Sequence, residues 1–230
     1  RRVYEHRKTG GRHESEYNIG LLNALGLESE PSVIPSLTVL EEDRLAALSV
    51  MHGMGMQRGE RWVIVHPGSG GSARDRRPEN FGRMAKVLAK EGFKVVITRG
   101  PGEDAIVNQV VQYSEGTGMA VVNRLTLKGL AAFISQADLF VGNSTGPLHI
   151  AAAVGTPVIG FYPDIAACSY RRWGPLSERK RVFAPDRAKC SLCKGGECRS
   201  NFCMDQIEVQ DVVAAVHELV ETLKPADVEA

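Results

Sequence analysis

The chain has 230 residues, 43% of them hydrophobic and 24% charged, which is typical of a globular protein able to bury a sizeable core. Its 28 basic and 27 acidic residues give a formal net charge of +1, so no overall field attracts nucleic acid or an anionic membrane. An anion site must therefore be local. The sequence has no apolar run long enough to cross a bilayer and no start typical of a signal peptide, so we expect a cytoplasmic protein.

The first part of the chain differs in pattern from the rest. Residues 15–27 read as a helix ended by Gly26, residues 41–56 have apolar positions on one helical face, and Pro31 and Pro35 lie between them. We predict that residues 1–57 are the tail of an N-terminal domain and a connector, and that residues 58–230 form a second domain.

From residue 61 onward, strand and helix patterns alternate. Apolar, β-branched runs begin at residues 62, 93, 120, 138 and 157, and amphipathic stretches cover residues 78–90, 104–113, 127–136 and 146–154. Strands that are apolar on both faces are typical of a parallel sheet covered on both sides. The sequence therefore predicts an α/β, Rossmann-like, doubly wound parallel sheet, closed by a helix over residues 207–223 with a helical period of valines.

Three loops follow predicted strands, where open parallel sheets bind their ligands. In the first, HPGSGGSARDRRP from residue 66 to 78, Gly68, Ser69 and Gly70 let backbone N–H groups approach an anion, and Arg74 and Arg76 supply charge. A flexible surface loop with solvated arginines is the alternative. The loop is not a P-loop, because no Lys-Ser/Thr pair follows the glycines.

The second loop, TRGPGEDA from residue 98 to 105, contains a tight turn and Glu103 at the start of a predicted helix. Its carboxylate could accept hydrogen bonds from ribose hydroxyls. The alternative is a negative charge that interacts favourably with the helix dipole.

The third loop is VGNSTGPLHIAAAVG, from residue 141 to 155. Ser144 or Thr145 is placed to cap a helix that begins near Gly146, so the free N–H groups of the first turn would face a phosphate. His149, on that first turn, could donate to the phosphate or could simply pack. The three loops together indicate a sugar-nucleotide or dinucleotide site, and the absence of a GxGxxG turn argues against nicotinamide.

Four of the five cysteines cluster near the end of the chain. Cys190, Cys193, Cys198 and Cys203 follow the spacing C-x2-C-x4-C-x4-C, and four close thiolates can hold a structural zinc ion. Loop cysteines that are free or paired in disulfides are the alternative.

The segments HPGSGGSARDRRPENF, GPGED and GNSTGPLHIAAAVGTPVIGFYP, followed by CSLC and CMDQI, resemble the nucleotide-binding half of glycosyltransferase family nine, the ADP-heptose lipopolysaccharide heptosyltransferases. RHESEYNIGLLNALGL, from residue 12, is similar to the end of that family's first domain. The resemblance implies one half of a GT-B enzyme, in which two Rossmann-like domains face each other across a cleft. Residues 58–230 would then be the C-terminal nucleotide-sugar-binding domain.

The resemblance also implies roles for the loop residues. Thr145 and Gly146 would contact the donor diphosphate, with Ser144 and His149 in the same site, and Glu103 would bind the donor ribose. The loop with Gly68, Ser69 and Gly70 and a following basic residue would hold phosphate or sugar. The family's tryptophan before the proline is absent here, so either Arg74 or Arg76 could take the basic role, and Ser144 stands where the family often has an acidic residue.

The implied reaction is inverting transfer of a heptosyl or related sugar from an ADP-sugar to a lipid-linked oligosaccharide, without a catalytic cofactor. The family's catalytic base lies near the start of the first domain, so no base is assigned here, and we expect donor binding without turnover. Contact with the inner face of the inner membrane stays open. Two alternatives remain, a nucleotide-binding module without transferase activity and a zinc-organised interaction domain.

Overall fold

The computed structural model describes residues 6–28, 34–57, 59–71, 74–116, 119–122, 125–186, 188 and 201–221. Its centre is a six-stranded sheet in the order β3-β2-β1-β4-β5-β6, with every neighbouring pair parallel. The strands are β1 (Trp62–His66), β2 (Lys94–Thr98), β3 (Met119–Val122), β4 (Leu139–Asn143), β5 (Val158–Phe161) and β6 (Lys180–Phe183).

Helices connect successive strands along most of the chain. They are α1 (Glu14–Asn23), α2 (Glu41–Gly53), α3 (Pro78–Lys90), α4 (Asp104–Tyr113), α5 (Leu127–Ile134), α6 (Gly146–Ala153), α7 (Tyr170–Trp173) and α8 (Val209–Glu221). Short 3-10 helices cover Arg7–Thr9, Ala166–Cys168 and Asn201–Gln206. No helix in the described ranges is both long and apolar enough to span a membrane.

Successive strand residues point to opposite faces, and each face has its own hydrophobic core. Val63, Val65 and Val141 belong to the core that includes side chains of α3, α4 and α8, whereas Ile64 and Phe140 belong to the core that includes side chains of α2, α5 and α6. Because both faces of the sheet are covered by helices, the prediction of a doubly wound α/β domain is confirmed.

The predicted elements and the observed ones agree closely, but the short helix α7, the 3-10 helices and one strand are additions. Helices α3 and α4 have the predicted bounds, whereas β6 was not predicted. Its sequence KRVF begins with two exposed basic residues, and it lies at the edge of the sheet, so it lacks the apolar pattern of the central strands. The predicted boundary near residue 57 stays a prediction, although α2 packs on α5 and buries Ala47.

Candidate functional site

The site is built where the strand order reverses. β1 and β4 are neighbours, and the chain leaves β1 for α3 on one face of the sheet and β4 for α6 on the other. The loops that follow these two strands therefore separate and leave a crevice at the carboxyl ends, which is where open α/β sheets bind ligands. The three loops identified in the sequence all belong to this edge.

Glu103 joins the loop after β2 to the loop after β1. Its Oε2 accepts the Gly100 N–H at 2.6 Å and its Oε1 accepts the Gly70 N–H at 3.3 Å. Gly68 lies so close that an added Cβ would overlap the carboxylate. Gly70 and Gly71 have φ values of +60° and +76°, a conformation that favours glycine. The predicted residues of these two loops are thus brought together around one buried carboxylate.

Two further polar residues surround Glu103. His66 Nδ1 lies 2.9 Å from Thr98 Oγ1, and its Nε2 lies 3.7 Å from Glu103 Oε2. Burial lowers the pKa of His66, and the Glu103 charge opposes that change. Burial raises the pKa of Asp75 to about 6; a hydrogen bond from Ser69 lowers it in part, and the Glu103 charge raises it further. Sequence reasoning did not single out His66 or Asp75 individually, because their partners are distant in sequence.

Asn143 connects the loop after β1 to the end of β4. Its side chain is fully buried, its Oδ1 accepts the Arg76 N–H at 2.9 Å, and its Nδ2 donates to the Pro67 carbonyl at 2.6 Å. This asparagine was not assigned a role from sequence, although it is the last residue of a buried strand. It holds the first loop in register with the start of α6.

The start of α6 is open to a ligand. Thr145 occupies the N-cap position, as predicted, but its side chain makes no capping hydrogen bond, and Gly146 is exposed. The Ser144 N–H donates to the Phe161 carbonyl at 3.1 Å, which fixes the turn on β5. His149 is half-buried, and burial lowers its pKa, so the neutral imidazole is favoured.

A cavity of about 440 Å³ lies against this helix start. Its lining residues are Ser144, Thr145, Gly146, His149, Ala167, Cys168, Arg172 and Trp173. The first four are the residues predicted from the third loop, and the other four come from the segment after β5, which carried no recognised signal in the sequence. The volume lies within the range of small-molecule sites.

Arg76 differs from the other predicted site residues. It is fully buried, its Nη1 donates to the carbonyls of Ile207 at 2.6 Å and Met204 at 3.3 Å, and its guanidinium carbon lies 5.0 Å from the Phe161 ring centroid. Burial lowers the pKa of Arg76 to about 10. Its guanidinium thus attaches the loop to the turn before α8, which leaves Arg74, a half-buried residue, as the better candidate for the basic role.

The zinc prediction falls mostly outside the described residues, because Cys190, Cys193 and Cys198 are not among them. Cys203 is described and lies in the core beside α8, 8% exposed. Within the ranges that the structure describes, no cluster of three or more His, Cys, Asp or Glu side chains could hold a metal ion. A structural zinc ion therefore stays a prediction.

The fold defines a doubly wound α/β domain with a candidate ligand crevice, and comparison with known proteins gives its family. The model of glycosyltransferase family 9 (heptosyltransferase) matches residues 3–203. The chain belongs to this family, as the sequence resemblance indicated.

Two curated relatives illustrate the match. A putative glycosyltransferase of Haemophilus influenzae is 32% identical over 203 residues, covering 81% of this chain and 58% of its own length. Lipopolysaccharide heptosyltransferase 3 of Escherichia coli K12 is 26% identical over 215 residues, covering 91% of this chain and 60% of its own length. The chain therefore spans about three fifths of these relatives.

Solved structures share the fold. A family 9 glycosyltransferase from Veillonella parvula aligns with a TM-score of 0.75 and 22% identity, covering 92% of this chain and 61% of its own. The ADP-heptose heptosyltransferase II of E. coli aligns with a TM-score of 0.68 and 20% identity, covering 88% and 58%. At these identities the likeness establishes the fold only.

Proposed function

We propose that this chain is the donor-binding part of a glycosyltransferase that moves a heptosyl or related sugar from an ADP-sugar to an acceptor of the lipopolysaccharide core. The observation that carries the proposal is the pairing of two loops at the reversal of strand order. Glu103 organises one loop, the open start of α6 forms the other, and Asn143 joins them. The relatives named as lipopolysaccharide heptosyltransferases supply the sugar and the acceptor.

The proposed binding mode uses each loop for one part of the donor. The N–H groups at the start of α6, with the Thr145 hydroxyl, bind the diphosphate, because a helix N-terminus carries partial positive charge. Glu103 accepts the ribose hydroxyls, and Gly68, Ser69 and Gly70 let the ligand approach the backbone. Arg74 neutralises phosphate charge as the bond to the sugar breaks.

We assign no catalytic base to this chain. Inverting transfer requires a carboxylate that removes the proton of the acceptor hydroxyl, and we propose that it comes from the part of the relatives' length that this chain does not span. The same proposal places the lipid-linked acceptor, and any peripheral contact with the inner face of the membrane, on that part. The chemistry proposed here needs no metal ion or other cofactor.

Calorimetric titration of the chain with ADP, UDP and GDP tests the proposal. We expect ADP to bind in preference to UDP and GDP, and Thr145→Ala and Glu103→Ala each to weaken ADP binding by about tenfold. Thr145→Ser retains the hydroxyl, and Asp104→Ala removes the exposed carboxylate next to Glu103, so both should bind ADP like the original chain. Absence of ADP binding, or binding unaffected by Thr145→Ala and Glu103→Ala, would contradict the proposed function.

A further inference from the structure

The order of the strands gives the donor a direction along the edge of the sheet. Glu103 follows β2 and Thr145 follows β4, with β1 between these strands. A nucleotide whose ribose contacts Glu103 and whose diphosphate contacts Thr145 therefore runs from β2 towards β5. The group attached to the far end of the diphosphate, which is the sugar, then reaches the segment after β5.

The 440 Å³ cavity lies at that position. Its lining residues come from the start of α6, where we place the diphosphate, and from the segment after β5, which contributes Ala167, Cys168, Arg172 and Trp173. The cavity thus adjoins both the proposed diphosphate site and the segment that the sugar would reach. It has the location and the size required for a sugar.

Arg172 is the one charged side chain among the lining residues of this cavity. Its Nε donates to Glu14 Oε2 at 2.8 Å and its Nη1 donates to the Ala167 carbonyl at 3.2 Å. These bonds use two of the five guanidinium N–H donors. Among the described residues, neither Nη2–H nor the second Nη1–H donates a hydrogen bond, so three donors of a permanently charged group remain for a ligand. The Arg172 side chain is only 13% exposed, which limits competition from water.

Glu14 fixes the direction of Arg172. This carboxylate, 12% exposed, also accepts Arg7 Nη1 at 2.6 Å, and it begins α1 directly after the N-cap residue His13. His13 Nε2 lies 2.9 Å from the Gly174 carbonyl, so this nitrogen carries the proton and donates, while Nδ1 accepts the Ser15 N–H at 3.2 Å. The start of α1 is thereby held against α7, and the Arg172 guanidinium is bound on two sides.

We infer that Arg172 binds the hydroxyl groups of the donor sugar in this cavity, and that Glu14 is the residue that positions it. The inference rests on the proposed function, since it takes the diphosphate at α6 as given. It adds a residue that determines specificity. Arg172 distinguishes an ADP-sugar from ADP, and Glu14, in the segment that precedes the sheet, holds the Arg172 guanidinium in position.

The test compares ADP with ADP-heptose on the complete 230-residue chain by calorimetric titration. We expect ADP-heptose to bind more tightly than ADP, and Arg172→Ala to lower ADP-heptose affinity about tenfold while changing ADP affinity less than about twofold. Arg171→Ala removes the neighbouring, exposed arginine and should leave both affinities unchanged. Arg172→Lys keeps the charge but loses the planar fork, so it should also lose the preference for the sugar.

The positioning role of Glu14 is tested by the ratio of the affinity for ADP-heptose to the affinity for ADP. Glu14→Gln should reduce the preference for ADP-heptose, and adding it to Arg172→Ala should cause no further loss, because the two residues act on the ligand as one unit. A residue that only stabilises the fold would not change the ratio. A further loss in the double variant would contradict the positioning role.

The outcomes separate this inference from the proposed function. If the chain binds neither ADP nor ADP-heptose, the proposed function fails and the inference fails with it. If ADP binds but ADP-heptose binds no more tightly, or if Arg172→Ala and Arg172→Lys weaken both ligands equally or neither, the inference is overturned while the proposed function stands. Thermal unfolding of each variant establishes that it is folded.

Discussion

Replacing Asn143 by alanine should destabilise the domain and weaken nucleotide binding together. The amide side chain is fully buried and bridges the Arg76 N–H and the Pro67 carbonyl at 2.9 Å and 2.6 Å. The shorter side chain of alanine reaches neither group. Both backbone groups would then lie in a buried environment without their hydrogen-bond partner.

The size of the effect follows from those two groups. An unsatisfied buried donor or acceptor costs about 1–3 kcal/mol, so the loss of both should lower the free energy of unfolding by about 2–6 kcal/mol. For a chain of this size each kcal/mol lowers the midpoint of thermal unfolding by about 2–4 °C, which corresponds to a fall of roughly 4–24 °C. Since the loop after β1 loses its attachment to β4, ADP affinity should also fall by about tenfold or more.

Urea unfolding and ADP titration measure the two effects. Asn108→Ala, at an exposed position on α4, is the matched control and should change neither quantity measurably. Asn143→Asp keeps the acceptor for the Arg76 N–H, and its carboxyl group can donate to the Pro67 carbonyl only when it is protonated, so this variant should lie between the original chain and the alanine variant at acidic pH. If Asn143→Ala lost less than about 0.5 kcal/mol, the bridge would not hold the loop and the reasoning would be wrong.

Three further predictions concern the neighbouring groups. Gly68→Ala should reduce ADP affinity with little loss of stability, because the new methyl group displaces the flexible end of Glu103; titration and thermal unfolding measure the two quantities. Folding raises the pKa of Asp75 from 3.8 to about 6, so protonation of Asp75 stabilises the folded state. This contribution to the free energy of unfolding is complete below about pH 3.8 and is lost as the pH rises through about 6. Asp75→Asn should therefore gain about 1–2 kcal/mol of stability at pH 7, discounted for partial exposure, and flatten the pH dependence between 4 and 6 in urea unfolding. If the four clustered cysteines bind structural zinc, elemental analysis should find about one zinc ion per chain, and Cys193→Ser should remove it while the six-stranded sheet remains folded. A chain without zinc would favour the alternative of loop cysteines that are free or paired in disulfides.

The sequence predicted most of the sheet because its central strands are apolar on both faces and its helices are amphipathic. The same patterns place the three loops, since the carboxyl ends of parallel strands share one edge. β6 was not predicted, because an edge strand needs fewer apolar residues and can carry charged residues. The positions of the candidate loops therefore follow from local patterns and from the rules of parallel topology.

The contacts inside the site could not be predicted in the same way, because they join residues far apart in the chain. Asn143 and Pro67 are separated by 76 positions, and Arg172 and Glu14 by 158. The burial of Arg76 is a similar case, since a run of basic residues is ordinarily solvated and the carbonyl partners of this side chain come from the distant turn before α8. Local sequence patterns do not predict contacts between residues so far apart in the chain.

The two interpretations of Glu103, a charge at the start of a helix and an acceptor for ribose, are compatible in this geometry. A carboxylate has about four acceptor positions on its two oxygens, and the N–H groups of Gly70 and Gly100 each use one. Within the part of the chain that the structure describes, one position on each oxygen remains, which matches a pair of neighbouring hydroxyl groups. Because the two loop N–H groups already hold the carboxylate in place, nucleotide binding then needs no rearrangement of the loops.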